Sequence, residues 1–386
     1  MNAVKCMAGS RAGQSHLRGL QKPARRLSLS ALAFAALVAA CRHDTPDTRQ
    51  ADVVLPGDSV VIQEPDSLAL GRRTPLLLRA ADGRMVLAEF PGKAVYAYAA
   101  DGSFLGMFGR PGEGPGELRL LTGMGLLPGD SLLAVVDFLR SRLIIYRMDD
   151  RTLVRELPLT ESLMPVVGWA DAGEVAILPM SISPTPFNAL NTTTGEIQPW
   201  GKVPERWPEI NRASGYARPV AVPVGERVLT ALPFDPMVEW RDRHGSVLTT
   251  EPLPRLHRRG EPPDAVKRIR DWQDREEKTL QGFASGLLAG HRFSGDRVGL
   301  LHADLDAVQD DSDVGSAITS SALYLTILPS GTTRGCTDLR LPIAFTEYSW
   351  PTFTGDTIWF LDRTPAADGS AKTMVRGLVV RGSNCD

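Results

Sequence analysis

A turn signal followed by a short apolar run recurs six times along the chain. No other feature constrains its fold as strongly. The copies are DGRMVLAEF from Asp82, GDSLLAVVDF from Gly129, AGEVAILPM from Ala172, GERVLTALPFD from Gly225, GDRVGLLHAD from Gly295 and GDTIWFLD from Gly355. Their glycines lie at 83, 129, 173, 225, 295 and 355, so successive steps are 46, 44, 52, 70 and 60 residues. Self-similarity at about 45–50 residues, with insertions in the longer steps, is the period of a propeller blade.

Each copy has similar surroundings. In the first, LLLRA is followed by the turn Ala81-Asp82-Gly83, then MVLAEF, the turn Pro91-Gly92, AVYAYAA, the turn Asp101-Gly102 and SFLGMFG. Four short β-prone runs punctuated by Asp-Gly and Pro-Gly form an antiparallel meander. The second copy repeats it, with Leu143-Ile144-Ile145-Tyr146 standing where Val95-Tyr96-Ala97-Tyr98 stand in the first. Radial repetition of such meanders gives an all-β propeller with few open edges. The sixth copy is one strand short, and DSVVIQ (Asp58 to Gln63) is an unplaced strand before the first. The expected fold is therefore a six-bladed β-propeller of four-stranded antiparallel blades, covering residues 52–386 and closed by the N-terminal strand.

The stretch GRPGEGPGEL, Gly109 to Leu118, is rich enough in glycine to suggest a phosphate loop. A phosphate loop needs exposed backbone amides at a helix N-terminus, followed by Lys and Ser/Thr. Here two prolines donate no amide, two glutamates repel phosphate, and LRLLTGMGLLPGDSLL reads as strand and turn. The stretch falls where the outer strand of one blade must cross to the inner strand of the next. Together with VVDFLRSRLIIYRMDD it resembles the NHL repeat, a Gly-rich connector, a strand ending in Asp, a basic turn and an aliphatic strand. The matching positions are Gly112, Gly114, Pro115, Gly116, Glu117, Asp137 and Arg142, within residues 76–150; later blades keep only the strand-turn rhythm. The resemblance implies an NHL-like six-bladed propeller, of a kind common among exported bacterial lipoproteins, many without known activity.

Residues 1–40 read as a lipoprotein signal peptide. Six basic and no acidic residues precede the apolar run Leu27–Ala40, which is too short to span a bilayer, and Val38-Ala39-Ala40-Cys41 resembles a lipobox. Cys41 would carry lipid, and residues 41–51 would be a polar tether. The absence of an Asp after Cys41 favours the outer over the inner membrane. The whole chain holds 43 basic and 45 acidic residues, so cleavage leaves 37 against 45, a net charge of −8. That balance argues against nucleic acid as a partner. Cys336 and Cys385 remain after the signal and anchor are accounted for, and an oxidising compartment makes them a disulfide or two separate thiols.

Pro262–Gly290 breaks the β rhythm. Val266, Ile269, Trp272, Leu280, Phe283 and Leu287 follow helical spacing and predict a helical insertion over about 262–290, between blades 4 and 5. It reads either as a packed decoration or as a lid or docking element. Glu89, Asp137, Asp235, Asp304 and Asp362 recur at or after second strands. They could form a carboxylate ring for a cation such as Ca²⁺, or simply accept hydrogen bonds from turn amides. Asp304, Asp306, Asp310, Asp311 and Asp313 crowd what reads as one long loop without the Gly and Glu of a calcium hand. No HxH, HExxH, GxSxG or CxxC is present, so no cofactor is expected beyond that cation. Asn188, Asn191, Asn211 and Asn384 do not sit beside acids at strand ends, as the metal ligands of lactonase-type propellers would. Trp200, Trp207, Trp240, Trp272, Trp350 and Trp359 either line a groove or pack between blades. The leading reading is a lipid-anchored, monomeric, non-catalytic module of the bacterial envelope that binds a protein or glycan. The alternative is a metal-dependent hydrolase or lactonase with its site at the central channel.

Overall fold

Six antiparallel sheets succeed one another along the chain in a computed structural model. The structure describes residues 53–63, 74–90, 92–127, 129–159, 170–171, 175–179, 183–191, 193–213, 217–274, 279–280, 284–309, 316–328, 338–343, 351–365 and 371–381. Blade 1 comprises β2 (Thr74–Arg79), β3 (Met85–Phe90), β4 (Val95–Tyr98) and β5 (Phe104–Phe108). Blade 2 comprises β6 (Leu121–Leu126), β7 (Leu132–Asp137), β8 (Arg142–Arg147) and β9 (Leu153–Pro158). Blade 3 holds β10 (Ala170–Asp171), β11 (Val175–Pro179), β12 (Phe187–Asn191) and β13 (Ile197–Pro199), and blade 4 holds β14 (Val220–Val224), β15 (Arg227–Ala231), β16 (Met237–Asp242) and β17 (Val247–Pro252).

Blade 6 is completed as the strand count requires. Its own strands are β23 (Thr352–Thr354), β24 (Thr357–Pro365) and β25 (Ala371–Arg381), and its outer strand is β1 (Val53–Val61) from the start of the fold. Val53 faces Arg381 and Val61 faces Met374, with a bulge between Pro56 and Ser59. The ring is thus closed by hydrogen bonds between the two ends of the chain.

Period-2 alternation explains the core. Both faces of most central strands are apolar, because each blade is covered by a neighbour on either side. In β3, Val86 and Ala88 pack towards blade 2, whereas Met85 and Leu87 pack towards blade 6 with Trp359, Leu361 and Val375. Six hydrophobic clusters result, one at each blade interface, including that between blades 6 and 1. Each fully buried aliphatic side chain contributes about 1.5–3 kcal/mol relative to exposure. Of the seven tryptophans, Trp200, Trp207, Trp240 and Trp359 are buried in these interfaces, Trp272 packs at the edge of one, and Trp169 and Trp350 lie outside the described residues.

Blade 5 departs from the expected pattern in two ways. The helix is α2 (Ala265–Gln273), nine residues rather than the whole of 262–290. Leu280 instead belongs to the short strand β18 (Thr279–Leu280), and Leu287 and Gly290 belong to the inner strand β19 (Ser285–Arg292). Gly290 does not end a helix. A Cβ there would stand 2.3 Å from Val220 Cγ1 and 2.7 Å from Val222 Cγ2, so glycine is what lets the inner strands of blades 4 and 5 approach. The acid-rich stretch is not one loop either: β20 (Val298–Gln309) and β21 (Ser316–Leu328) extend through most of it and pair from Val298↔Leu328 to Gln309↔Ser316. Asp304 and Asp306 therefore lie in a strand, while Asp310, Asp311 and Asp313 lie outside the described residues. The outer strand is β22 (Asp338–Arg340). A second helix, α1 (Trp207–Ala213), precedes blade 4, and its Trp207 and Ile210 share a core with Val266 and Ile269 of α2.

Candidate functional site

Chain direction alternates within a blade, so the two faces of the ring carry different loops. Turns from inner to second strands lie on one face; the blade-to-blade connectors and the second-to-third turns lie on the other. Polar groups that tie different elements together gather on the connector face and around the axis, among other places in the described residues.

On the connector face, GRPGEGPGEL folds around its own glutamate. Glu117 Oε2 accepts from Gly114 N at 2.7 Å, and Oε1 accepts from Arg110 Nε at 2.7 Å. Gly116 N donates to Glu156 Oε1 at 2.6 Å, and Tyr146 Oη donates to Gly116 O at 2.8 Å. Arg140 Nη1 donates to Gly114 O and Glu117 O, at 3.1 and 2.9 Å. Arg142 pairs with Glu156. Gly109 has φ +64°, and a Cβ there would meet Tyr146 Oη at 2.5 Å and Gly116 O at 2.6 Å. The amides of Gly114 and Gly116, which a phosphate would need, are thus spent on two carboxylates. The loop turns the chain and is locked while doing so.

Asp137 serves the same loop. Its carboxylate is fully buried and accepts from Arg119 N at 2.9 Å and Leu120 N at 3.1 Å, the last amides before β6. Blade 5 repeats the device with Asp338, which accepts from Leu256 N, His257 N and Arg258 N at 2.7, 3.2 and 3.3 Å. Asp304 accepts from Arg259 N at 3.0 Å and from the Ser285 hydroxyl. Asp235 accepts from Met237 N in its own turn at 3.1 Å, and Asp362 pairs with Arg376 at 2.8 Å. The side chain of Glu89 lies outside the described residues, as do Cys41, Cys336 and Cys385. The four described acids stand on four different blades, each engaged locally. Among the described residues no three His, Cys, Asp or Glu side chains gather as a metal site.

Beneath Asp338, Arg258 and Glu261 form a buried ion pair, and Arg258 Nε lies 3.5 Å from Asp338 Oδ1. Burial pushes the Glu261 carboxyl up to about 7 against the pull of Arg258. His302 is buried beside them, and burial together with the Arg258 charge holds its imidazole well below the usual histidine range.

Around the axis, strands and turns of all six blades line an open-mouthed cavity of about 390 Å³. Its lining comes from every blade: Arg79, Leu126 and Asp130, Pro179, Arg218 with Val220, Leu288 with His291, and Phe353. His291 stacks on Phe353 with ring centres 5.0 Å apart and an 11° tilt, and Phe293 meets it edge-on at 5.3 Å. Its Nε2 lies 2.9 Å from Gly355 O. A carbonyl only accepts, so Nε2 carries the proton. Burial lowers the His291 pKa, opposed by that hydrogen bond and by Asp356. Asp130 Oδ2 accepts from Ala81 N at 2.7 Å, tying blade 2 to blade 1. Arg79 lays its guanidinium over Trp359 at 3.9 Å. Arg218 N donates to Leu287 O at 2.7 Å, which fixes this residue against the neighbouring inner strand, and burial brings its guanidinium down to about 10.

Sequence reasoning singled out neither Arg218 nor His291, because both lie in stretches without a motif. Phe293 and Phe353 flanking a histidine from two different copies of the repeat were the available signal, readable only once inner strands are aligned.

The fold defines the class: a six-bladed β-propeller with four-stranded antiparallel blades. Among solved structures, a member of the DUF4221 family from Bacteroides vulgatus is similar, with a TM-score of 0.60 at 8% identity, over 87% of this chain and 100% of that one. A putative exported protein from Bacteroides fragilis is similar with a TM-score of 0.53 at 12% identity, over 86% and 96% of the two chains. At such identities the likeness is one of fold. No family model and no curated protein matches the sequence.

Proposed function

We propose that this chain is a lipid-tethered, non-catalytic propeller of the bacterial envelope, with an NHL-type first connector, that binds a protein partner through its connector face. One observation carries the partner reading. Leu139, 55% exposed, and Leu256, 62% exposed, stand on that face in segments whose neighbours are immobilised by buried acids. Leu139 follows Asp137 and precedes Arg140, both bonded to the connector, and the backbone of Leu256 is itself held by Asp338. Large apolar side chains held rigidly in water lose little further entropy on being covered. Among the described residues the exposed large hydrophobics are all aliphatic, which suits a protein surface better than the flat faces of sugar rings. A metal-dependent hydrolase at the axis would need several converging donors, whereas the described lining offers one carboxylate, Asp130, already bonded to an amide.

Export and anchoring rest on the basic, apolar and small-residue order of residues 1–40 with Cys41 at its end, and the fold likeness to a putative exported protein is consistent with them. Cys41→Ser should move the protein from the membrane to the soluble fraction; unchanged fractionation contradicts the anchor. For the partner, a photo-crosslinking residue at 139 or 256 should capture a protein in intact envelopes. The same residue at 82, on the opposite face, should not. With the probe at 139, Leu256→Asp should abolish that capture, and with the probe at 256, Leu139→Asp should, each with its melting temperature retained; equal capture from both faces contradicts the assignment.

A further inference from the structure

The segment 254–261, which carries Leu256, is fastened to blade 5 largely by side chains rather than by strand pairing. We propose that it is a proton-controlled strap: closed while one proton sits on the buried carboxylates beneath it, and released as rising pH removes that proton. What the strap regulates, the exposure and rigidity of Leu256, rests on the partner reading. The strap itself is tested without a partner.

Five consecutive amides make the fastening. Leu256 N, His257 N and Arg258 N donate to Asp338, Arg259 N to Asp304, and Gly260 N to the Ser285 hydroxyl at 3.0 Å. A backbone bond from Ser285 N to Gly260 O, at 2.9 Å, adds to them.

The charges under the strap do not balance. Its cations are Arg255, Arg258 and Arg259, and they meet Glu261 of the strap, Asp304 and Asp306 of β20 and Asp338 of β22. Three guanidiniums thus stand against four carboxylates, of which Glu261, Asp304 and Asp338 are buried. His302 of β20 adds no cation, since it is buried beside Arg258 and neither ring nitrogen has a hydrogen-bond partner among the described residues. The phenol of Tyr324 in β21, near Arg259, adds none either.

A buried carboxylate in excess of its counter-ions keeps its proton. Asp338 has three amides and the Thr326 hydroxyl at 2.5 Å, and Asp304 has an amide and the Ser285 hydroxyl. Glu261 has Arg258 alone among the described residues, so the proton falls to Glu261. Burial acts in the same direction, raising this carboxyl from 4.5 to about 7, and it raises Asp304 as well. In the released strap Glu261 meets water and returns to its ordinary value. The closed form is therefore favoured at low pH and loses that advantage as pH rises through about 7. For one proton, the open fraction grows about tenfold between pH 6 and pH 8.

The test is hydrogen–deuterium exchange of the full-length protein at pH 6 and pH 8, with protection corrected for the intrinsic pH dependence of exchange. Residues 255–261 should be less protected than Leu132–Asp137 of blade 2 at both values, because the strap opens by itself. Their protection should fall about tenfold from pH 6 to pH 8 in the wild type and stay level in Glu261→Gln. His302→Gln should keep the fall. If Glu261→Gln does not fold, the wild type and His302→Gln still decide. Equal protection of the strap and Leu132–Asp137, a pH-independent wild type, a fall retained in Glu261→Gln, or a fall lost in His302→Gln would each overturn the proposal.

Discussion

Glu261 shows how a single residue couples this fold to pH. Its carboxyl is raised from 4.5 to about 7 by burial, with Arg258 and Arg255 opposing and Asp338 adding to the rise. An acid whose folded value is raised stabilises the fold below its ordinary value and loses that contribution as pH rises through the folded one. Between about 4.5 and about 7, wild type should therefore lose stability relative to Glu261→Gln, with no further relative change above. His291 and His302, both lowered by burial, act in the opposite sense near the same window, so the difference between the two proteins is the quantity to measure by denaturant titration. Parallel stability curves across that window would contradict a raised Glu261. At this scale the sequence was legible where partners are close along the chain. Glu117 and Gly114 are three residues apart and both stood out in GRPGEGPGEL. Glu156 reaches Gly116 across 40 residues and Asp338 reaches Leu256 across 82, and nothing local marks either acid as a ligand of connector amides.

Elements were legible where the repeat is regular and misread where it is interrupted. Blades 1 and 2 follow the Asp-Gly and Pro-Gly punctuation closely, because hairpin turns demand those residues. Between blades 4 and 5 the spacing of Leu280 and Leu287 imitates a helix, yet both lie in strands paired with β20. Pairing along a long second strand outweighed a local periodicity that glycines at 282, 286 and 290 already undermine. The short helix α1 was missed because seven residues give too few turns for a periodic signal. Gly290 tests this reassignment. Gly290→Val should collide with Val220 and Val222 across the interface of blades 4 and 5 and cost about 1–3 kcal/mol or more, read as a lowered denaturation midpoint. A neutral outcome would mean the two inner strands are not in contact there.

For the whole molecule, ring closure joins strand to fold and fold to function. Blade 6 lacks an outer strand until β1 supplies it, and the cluster between blades 6 and 1 holds Ile62 from beyond the end of that strand together with Trp359, Leu361 and Val375. A closed ring keeps the connector loops at fixed separations and makes the axial cavity a shared wall of all blades. Strand counting along the sequence was enough to place this closure, because one blade short by one strand and one strand without a blade leave a single economical pairing. The axial lining was not legible in the same way, since it depends on how six inner strands lean together.

Hydrogen–deuterium exchange over residues 53–61, followed by mass spectrometry on the intact protein, measures that closure directly. The β25-facing amides of this segment should be protected to the same degree as those of another outer strand, Leu153–Pro158 in blade 2. Exchange of the whole segment as fast as an unpaired tail, with 371–381 exposed in step, would contradict a ring fastened by its own two ends.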